Sequence, residues 1–278
     1  MTSPHPLNSP SPSDPSTPPS PSSSSSPTNP NPSLPPPPTQ WDLDLHLPHL
    51  ERASLLATPT TLIRALDAVG TLLDAAHIPW ALMGGLALLL HGFRNRTTRD
   101  VDVAVGEGVK AREVIAALGC GRVYTPPLLS VVGSGCGRFY VVVGGGDDGG
   151  EGDGEGVVEV DVILAGHLGA PKTLAGATTT RTAQTAAGLR SYNVLSVQQL
   201  CRAKLHALYQ REAERDFGDL EWLCMNFATE VAEAADTYGE EERANFVAKY
   251  QEKHPDSQEV VIKGLMAMMG LGMEGAPD

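Results

Sequence analysis

The run Asp100-Val101-Asp102-Val103 constrains this chain more tightly than any other stretch. Side chains two apart on a strand leave the same face, so the two carboxylates converge on one region. Adjacent carboxylates repel each other unless a positive charge lies between them. A hard divalent cation such as Mg²⁺ meets that need, because it prefers oxygen ligands and keeps positions open for phosphates. The residues just upstream supply a complement. An apolar run at 79–83 reads as a buried strand and ends at Gly84-Gly85, after which a helical run spans 86–91 and Gly92 closes it. Glycine lets a backbone approach a ligand closely, and a helix start offers unpaired N–H groups. A basic loop at 94–99 then leads into a strand at 100–105.

A third acid follows later. Residues 157–164 form an apolar strand interrupted by Glu159 and Asp161, which share one face. A charge inside such a strand is costly unless it is paired or metal-bound. Asp161, deeper in the run, is the candidate third acid, able to ligate a metal or to accept a proton from an attacking hydroxyl. The bland alternative places both acids on a solvated sheet face.

Around this constellation the chain is uneven. The first forty residues are almost entirely Pro, Ser, Thr and Asn, too poor in apolar surface to offset the entropy of ordering. Residues 144–156 contain only Gly, Asp and Glu apart from the flanking strands, and read as a mobile hairpin loop that lacks the ligand spacing of an EF-hand. Helices are expected at 60–77 and 108–118 and strands at 138–143 and 192–194. Helices follow at 196–211, 216–227, 240–250 and 258–269. The organisation expected is a disordered tail at 1–40, a mixed core at 41–190 and a helical region at 191–278.

Among 278 residues, Lys and Arg number 20 against 33 Asp and Glu, a net charge of −13. That balance repels phosphate backbones at long range and disfavours a general nucleic-acid binder. No apolar stretch has the length of a membrane span, and neither a secretory nor a mitochondrial leader is visible, so a cytoplasmic location is expected. Cys120, Cys136, Cys201 and Cys224 show no metal-ligand spacing and read as reduced thiols.

Gly84-Gly85 followed by Arg96-Thr97-Thr98-Arg99-Asp100-Val101-Asp102-Val103 resembles the signature of the nucleotidyltransferase superfamily. The Arg-x-Thr-x-Asp-x-Asp form is most similar to its AbiEii-like branch. A helix with Lys204, then Arg211 and Arg215-Asp216-Phe217-Gly218-Asp219-Leu220, extends the similarity. The resemblance implies an α+β fold, a small mixed β-sheet core flanked by helices and followed by a helical C-terminal region. It implies Mg²⁺ or Mn²⁺ at Asp100, Asp102 and Asp161, with a nucleoside triphosphate as substrate. Gly84 and Gly85 would hold its β- and γ-phosphates. Arg96 would reach the phosphates or order its loop, and Lys204 would approach the triphosphate. Bland readings of these last two are a solvated basic turn and a surface lysine on an amphipathic helix. Many relatives carry Ser where this chain has Gly85. The acceptor stays open between a tRNA end, a protein hydroxyl and a small molecule, and the Pro-rich tail offers a route to a protein partner.

Two rivals differ in class. A haloacid dehalogenase-type phosphatase also uses Asp-x-Asp, but at the end of an apolar strand, whereas here the apolar stretch comes after the acids. A nucleotide-sensing or protein-binding module that keeps the fold without turnover is the stronger rival. Against it, an idle carboxylate cluster carries only a penalty.

Overall fold

The structure is a computed structural model that describes residues 40–119, 122–144, 156–185 and 187–272. The Pro/Ser-rich tail through residue 39, the acidic run at 145–155 and Cys120 lie outside the described residues. Ten α-helices are formed among the described residues, with one seven-stranded mixed sheet. None of these helices is long and apolar enough to cross a membrane.

Helix α1 (Gln40–Ser54) precedes α2 (Pro59–Ala75). Thr58 caps α2 by accepting from the Thr61 amide, and Pro59 at its first position loses no hydrogen bond there. Leu62, Ala65, Leu66, Val69 and Leu73 form its buried stripe. Strand β1 (Trp80–Met83) is buried along its whole length and runs straight into α3 (Gly84–Leu90). After a loop comes β2 (Asp100–Val105), then α4 (Ala111–Leu118), β3 (Val123–Tyr124) and α5 (Leu128–Ser134). Strands β4 (Cys136–Val143) and β5 (Gly156–Ile163) pair antiparallel. A second antiparallel pair, β6 (Thr178–Thr185) and β7 (Gly188–Leu195), completes the sheet.

The strand order is β3-β4-β5-β2-β1-β7-β6. The first glycine-ending strand, β1, therefore lies between β2, antiparallel to it, and β7, parallel to it. The acid-bearing strands β2 and β5 are parallel neighbours. In β5, Val158, Val160 and Val162 are buried while Glu159 and Asp161 are partly exposed, the alternation expected of a strand with one apolar face. Helix α2 packs on the sheet against β2, β4, β5 and β6.

Beyond Leu195 the chain is helical: α6 (Val197–Arg211), α7 (Glu214–Asn226), α8 (Ala228–Glu233), α9 (Glu240–Lys253) and α10 (Glu259–Met268). Ser196 caps α6, its hydroxyl accepting from the Gln199 amide. Helix α6 touches α3 and β7, so the helical region is packed against the strand-turn-helix unit that carries Gly84. His91, just after α3, reinforces this joint, with Nε2 3.0 Å from the Leu195 carbonyl and Nδ1 3.2 Å from Arg181. Desolvation lowers its pKa, which fits a neutral imidazole that donates from Nε2 and accepts at Nδ1.

The α+β arrangement expected from the sequence is present, a mixed sheet flanked by helices and followed by a helical region. The whole of β6 and the first half of β7 went unread, because a run such as Thr178-Thr179-Thr180-Arg181 has no apolar alternation. Helices α1, α5 and α8 and strand β3 were likewise unread.

The α2 stripe can be tested directly. Leu66→Ala should lower unfolding stability by about 2–5 kcal/mol, and Thr60→Ala, on the exposed side, by no more than ~0.5 kcal/mol. Chemical denaturation of the two variants measures both.

Candidate active site at the β2–β5 carboxylate face

The parallel register of β2 and β5 places Asp100 beside Glu159 and Asp102 beside Asp161. Paired residues share a face, so four carboxylates stand together there. Strand β4 extends both rows, with Arg138 opposite Asp161 and Tyr140 opposite Glu159. On the other side Met83, last residue of β1, pairs with Asp102. The strand-ending turn and the two acids of β2 are thus adjacent by hydrogen-bond register.

The turn itself is shaped by close approach. Gly84 has φ of +67°, a region that disfavours any side chain. A Cβ there would also fall 1.8 Å from Asp102 Oδ2. At Gly85 a Cβ would fall 2.5 Å from Thr98 Oγ1 and 2.9 Å from the Arg96 guanidinium. Each glycine therefore has its own reason: Asp102 presses against the first, Thr98 and Arg96 against the second. The space that a side chain at 85 would need is filled by Thr98 and Arg96 from the loop. Thr98 uses its hydroxyl to donate to Asp100 Oδ1 at 2.6 Å, which orients that carboxylate.

A cavity of about 200 Å³ opens beside these groups. Its wall includes Met83, Gly84, Asp102, Cys136, Asp161 and Lys204. Burial, with Asp100 and Asp161 next in importance, raises the Asp102 pKa to about 7, against the opposing pull of Lys204 and Arg215. Asp102 thus tolerates its charge poorly. The cluster's donors are all oxygens, a set that suits a hard divalent cation. Among the described residues, no three His, Cys, Asp or Glu side chains stand close enough to hold a metal ion as they are placed. The third acid is engaged elsewhere: Arg138 Nε lies 3.2 Å from Asp161 Oδ1 and 2.9 Å from Glu159 Oε1.

Lys204 and Arg96 belong to a buried ion network behind the face. Arg96 grips Asp219 through Nε at 2.9 Å and Nη2 at 3.2 Å, and also donates to the Thr97 carbonyl. Lys204 Nζ lies 2.7 Å from Asp219 Oδ2 and 2.9 Å from Asp216 Oδ1. Arg211 closes the chain of charges with Nε 2.6 Å from Asp216 Oδ2. Asp216 and Asp219 are fully buried, and burial alone would raise the Asp216 pKa. Hydrogen bonds from Arg211 and Lys204 outweigh that and hold its carboxyl below the usual range. Arg96 therefore orders the loop that leads to Asp100. Lys204 is on the cavity wall with its ammonium shared between two aspartates.

With this geometry in view, comparison with known proteins is direct. The family model described as nucleotidyl transferase AbiEii toxin, type IV toxin–antitoxin system, matches residues 64–269. The chain belongs to that family. Among solved structures, JHP933 from Helicobacter pylori is similar at 15% identity, covering 77% of this chain and 90% of that one, with a TM-score of 0.41. The antibiotic-resistance factor ANT(2'')-Ia, in its solution structure, is similar at 14% identity, covering 72% and 96%, with a TM-score of 0.36. A search of curated proteins gives no significant match.

In this AbiEii-family chain, the expected Asp100, Asp102 and Asp161 stand on one sheet face beside the Gly84–Gly85 turn, together with four neighbours to which the sequence assigns no role. Glu159 was seen on the right face and set aside. Thr98 was visible as the Thr of Arg-x-Thr-x-Asp, with no role given to it. Arg138 and Tyr140 reach the face only through the β4–β5 register, which no local pattern announces. Of the thiols, Cys201 and Cys224 are buried and Cys136 is partly exposed on the cavity wall. Burial pushes the Cys136 thiol up to about 12, with Asp161 and Asp102 adding to the shift.

Two outcomes are expected. Gly84→Ala should give a destabilised protein, by at least ~1 kcal/mol from backbone strain alone, as read by thermal unfolding. The network should also set acid stability. Because the folded pKa of Asp216 is depressed, its contribution is present above the unfolded value of about 3.9 and is lost as pH falls through the lower folded value. Urea midpoints measured from pH 6 downward should fall steeply below about pH 4 in the wild type. Asp216→Asn should start several kcal/mol lower, about 3–5, and lose less with acid.

Proposed function

We propose that this protein transfers a nucleoside monophosphate from a nucleoside triphosphate to an acceptor hydroxyl, with release of pyrophosphate. The observation that carries the reading is Asp102, wedged against Gly84 with its pKa raised by burial and by the neighbouring Asp100 and Asp161. Family membership supports it independently. Asp100, Asp102 and Asp161 would hold a divalent cation, Mg²⁺ or Mn²⁺, which when bound offsets the charge that develops on the phosphoryl oxygens.

The remaining roles fall to the chain's own groups. Thr98 fixes one oxygen of Asp100. Gly84 is on the cavity wall with its side-chain space taken by Asp102, and the backbone of the Gly84–Gly85 turn would hold the β- and γ-phosphates. Lys204 and Arg215 add positive potential where the triphosphate would lie. Asp161 is the acid placed to take the proton of the attacking hydroxyl. The work is positioning and charge compensation.

A second reading, a nucleotide-sensing module without turnover, draws on the pairing of Asp161 with Arg138, which keeps the third acid occupied.

Thermal unfolding of the full chain with each nucleoside triphosphate, with and without Mg²⁺, separates the readings when run beside a pyrophosphate-release assay. A ligand at ~100 times its Kd should stabilise the protein by about 2.7 kcal/mol. The transferase reading expects a metal-dependent shift together with pyrophosphate release. Asp100→Asn and Asp102→Asn should each lower turnover by ~10²-fold or more while the fold persists. A shift without pyrophosphate for any acceptor class would favour the sensing module. Near-normal turnover in Asp100→Asn would sink the assignment.

A further inference from the structure

Arg138 occupies a position that the catalytic reading does not use. It stands opposite Asp161 in the β4–β5 register. Its Nε lies 2.9 Å from Glu159 Oε1 and 3.2 Å from Asp161 Oδ1, and Nη2 lies 3.4 Å from Asp161 Oδ2. The side chain is 54% exposed, so charge tethers it and packing does not lock it. Glu159 has a tether of its own, the Tyr140 hydroxyl at 3.4 Å. A guanidinium is a permanent cation whose fork matches carboxylate oxygens. It offsets one of the two negative charges of the Glu159–Asp161 pair, and a divalent ion brought beside it would be repelled as a like charge a few ångströms away.

We propose that Arg138 is a built-in counter-cation that competes with the divalent ion for Asp161, and that Glu159 is the carboxylate on which it stays when the ion enters. This rests on the reading of Asp100, Asp102 and Asp161 as a cation site. Arg138 donates to Asp161 through both Nε and Nη2 and keeps a separate ion-pair contact with Glu159 at 2.9 Å, so letting go of Asp161 leaves it a carboxylate partner. Rotation of a half-exposed side chain frees Asp161 without unpairing the guanidinium. Arg138 is then a positioning residue: it sets how readily the third acid becomes available and touches no reacting atom.

The test reads Mn²⁺ binding alone, on the full-length chain, from free Mn²⁺ followed by electron paramagnetic resonance. Arg138→Gln should tighten Mn²⁺ binding roughly two- to fivefold, the factor matching release of one partly exposed ion pair. Arg138→Met should repeat the gain, and Arg138→Lys, which keeps the charge, should return affinity close to wild type. A general charge effect is separated by salt. At about 1 M, where the screening length is ~3 Å, long-range attraction fades while a direct competition persists. Unchanged affinity in Arg138→Gln and Arg138→Met, or a gain that vanishes at high salt, overturns the proposal. Absence of Mn²⁺ binding to the wild type in every condition overturns the cation-site reading, and this proposal with it. Wild-type binding with indifferent Arg138 variants leaves that reading standing and removes this one.

Discussion

The crowding of carboxylates on one face of the sheet sets the terms for everything around it. Asp100, Asp102, Glu159 and Asp161 occupy two neighbouring rows of a parallel strand pair, where no change of rotamer takes them far apart. Asp102 is the member least able to escape, since the Gly84 turn closes over one of its oxygens. The chain answers with cations at several distances. Arg138 contacts two of the acids directly, while Lys204 and Arg215 act on Asp102 through space. Positive groups on several elements thus offset part of the negative charge that the strand pairing brings together.

The second constraint is mechanical. The loop that carries Arg96 and Thr98 must be held while Thr98 orients Asp100, and the loop has no regular structure of its own. Asp219 on α7 supplies the anchor, and Lys204 on α6 ties Asp219 to Asp216. Two buried carboxylates held by three cations form a joint that tolerates little change, since removing one partner leaves a buried charge uncompensated. The helical region thus reaches the carboxylate face through side chains, beyond its packing against α3 and β7. Phe93 stacked on Trp222 at a 4.6 Å centroid distance adds an apolar contact between the same two regions.

How much of this was legible follows from the range over which each signal acts. Gly84-Gly85 and Asp100-x-Asp102 are local: a turn that needs an absent side chain and a period-two pair leave marks in adjacent letters. Strand β2 was readable with its bounds intact for that reason, and Ser196 announced α6 as a local cap. Arg138 and Tyr140 join the face through pairing with β5, and register across a long connection is not written in either strand alone. The buried state of Lys204 was also hidden. Its partners lie twelve and fifteen residues downstream on another helix, and a lysine there reads equally well as solvent-facing. Strand β6 was missed because its threonines and Arg181 give polar residues on both faces, as befits an edge strand.

The glycine at position 85 shows how one absent side chain lets a turn and a loop pack together. A serine there would bring a hydroxyl to the turn, but its Cβ would collide with Thr98 and Arg96. The loop residues occupy the space that a side chain at 85 would need. One consequence is that the hydroxyl nearest the turn belongs to Thr98, and it is already spent on Asp100. The turn and the loop are therefore a single packed unit: glycine at 85 permits Arg96 to lie close, Arg96 is held by Asp219, and that hold keeps Thr98 at its carboxylate. Read in this order, the Arg-x-Thr-x-Asp-x-Asp run is a chain of supports that ends on Asp100, with Asp102 fixed separately by Gly84. The two acids of one strand are thus braced from different elements, which is what a site must do to keep like charges side by side.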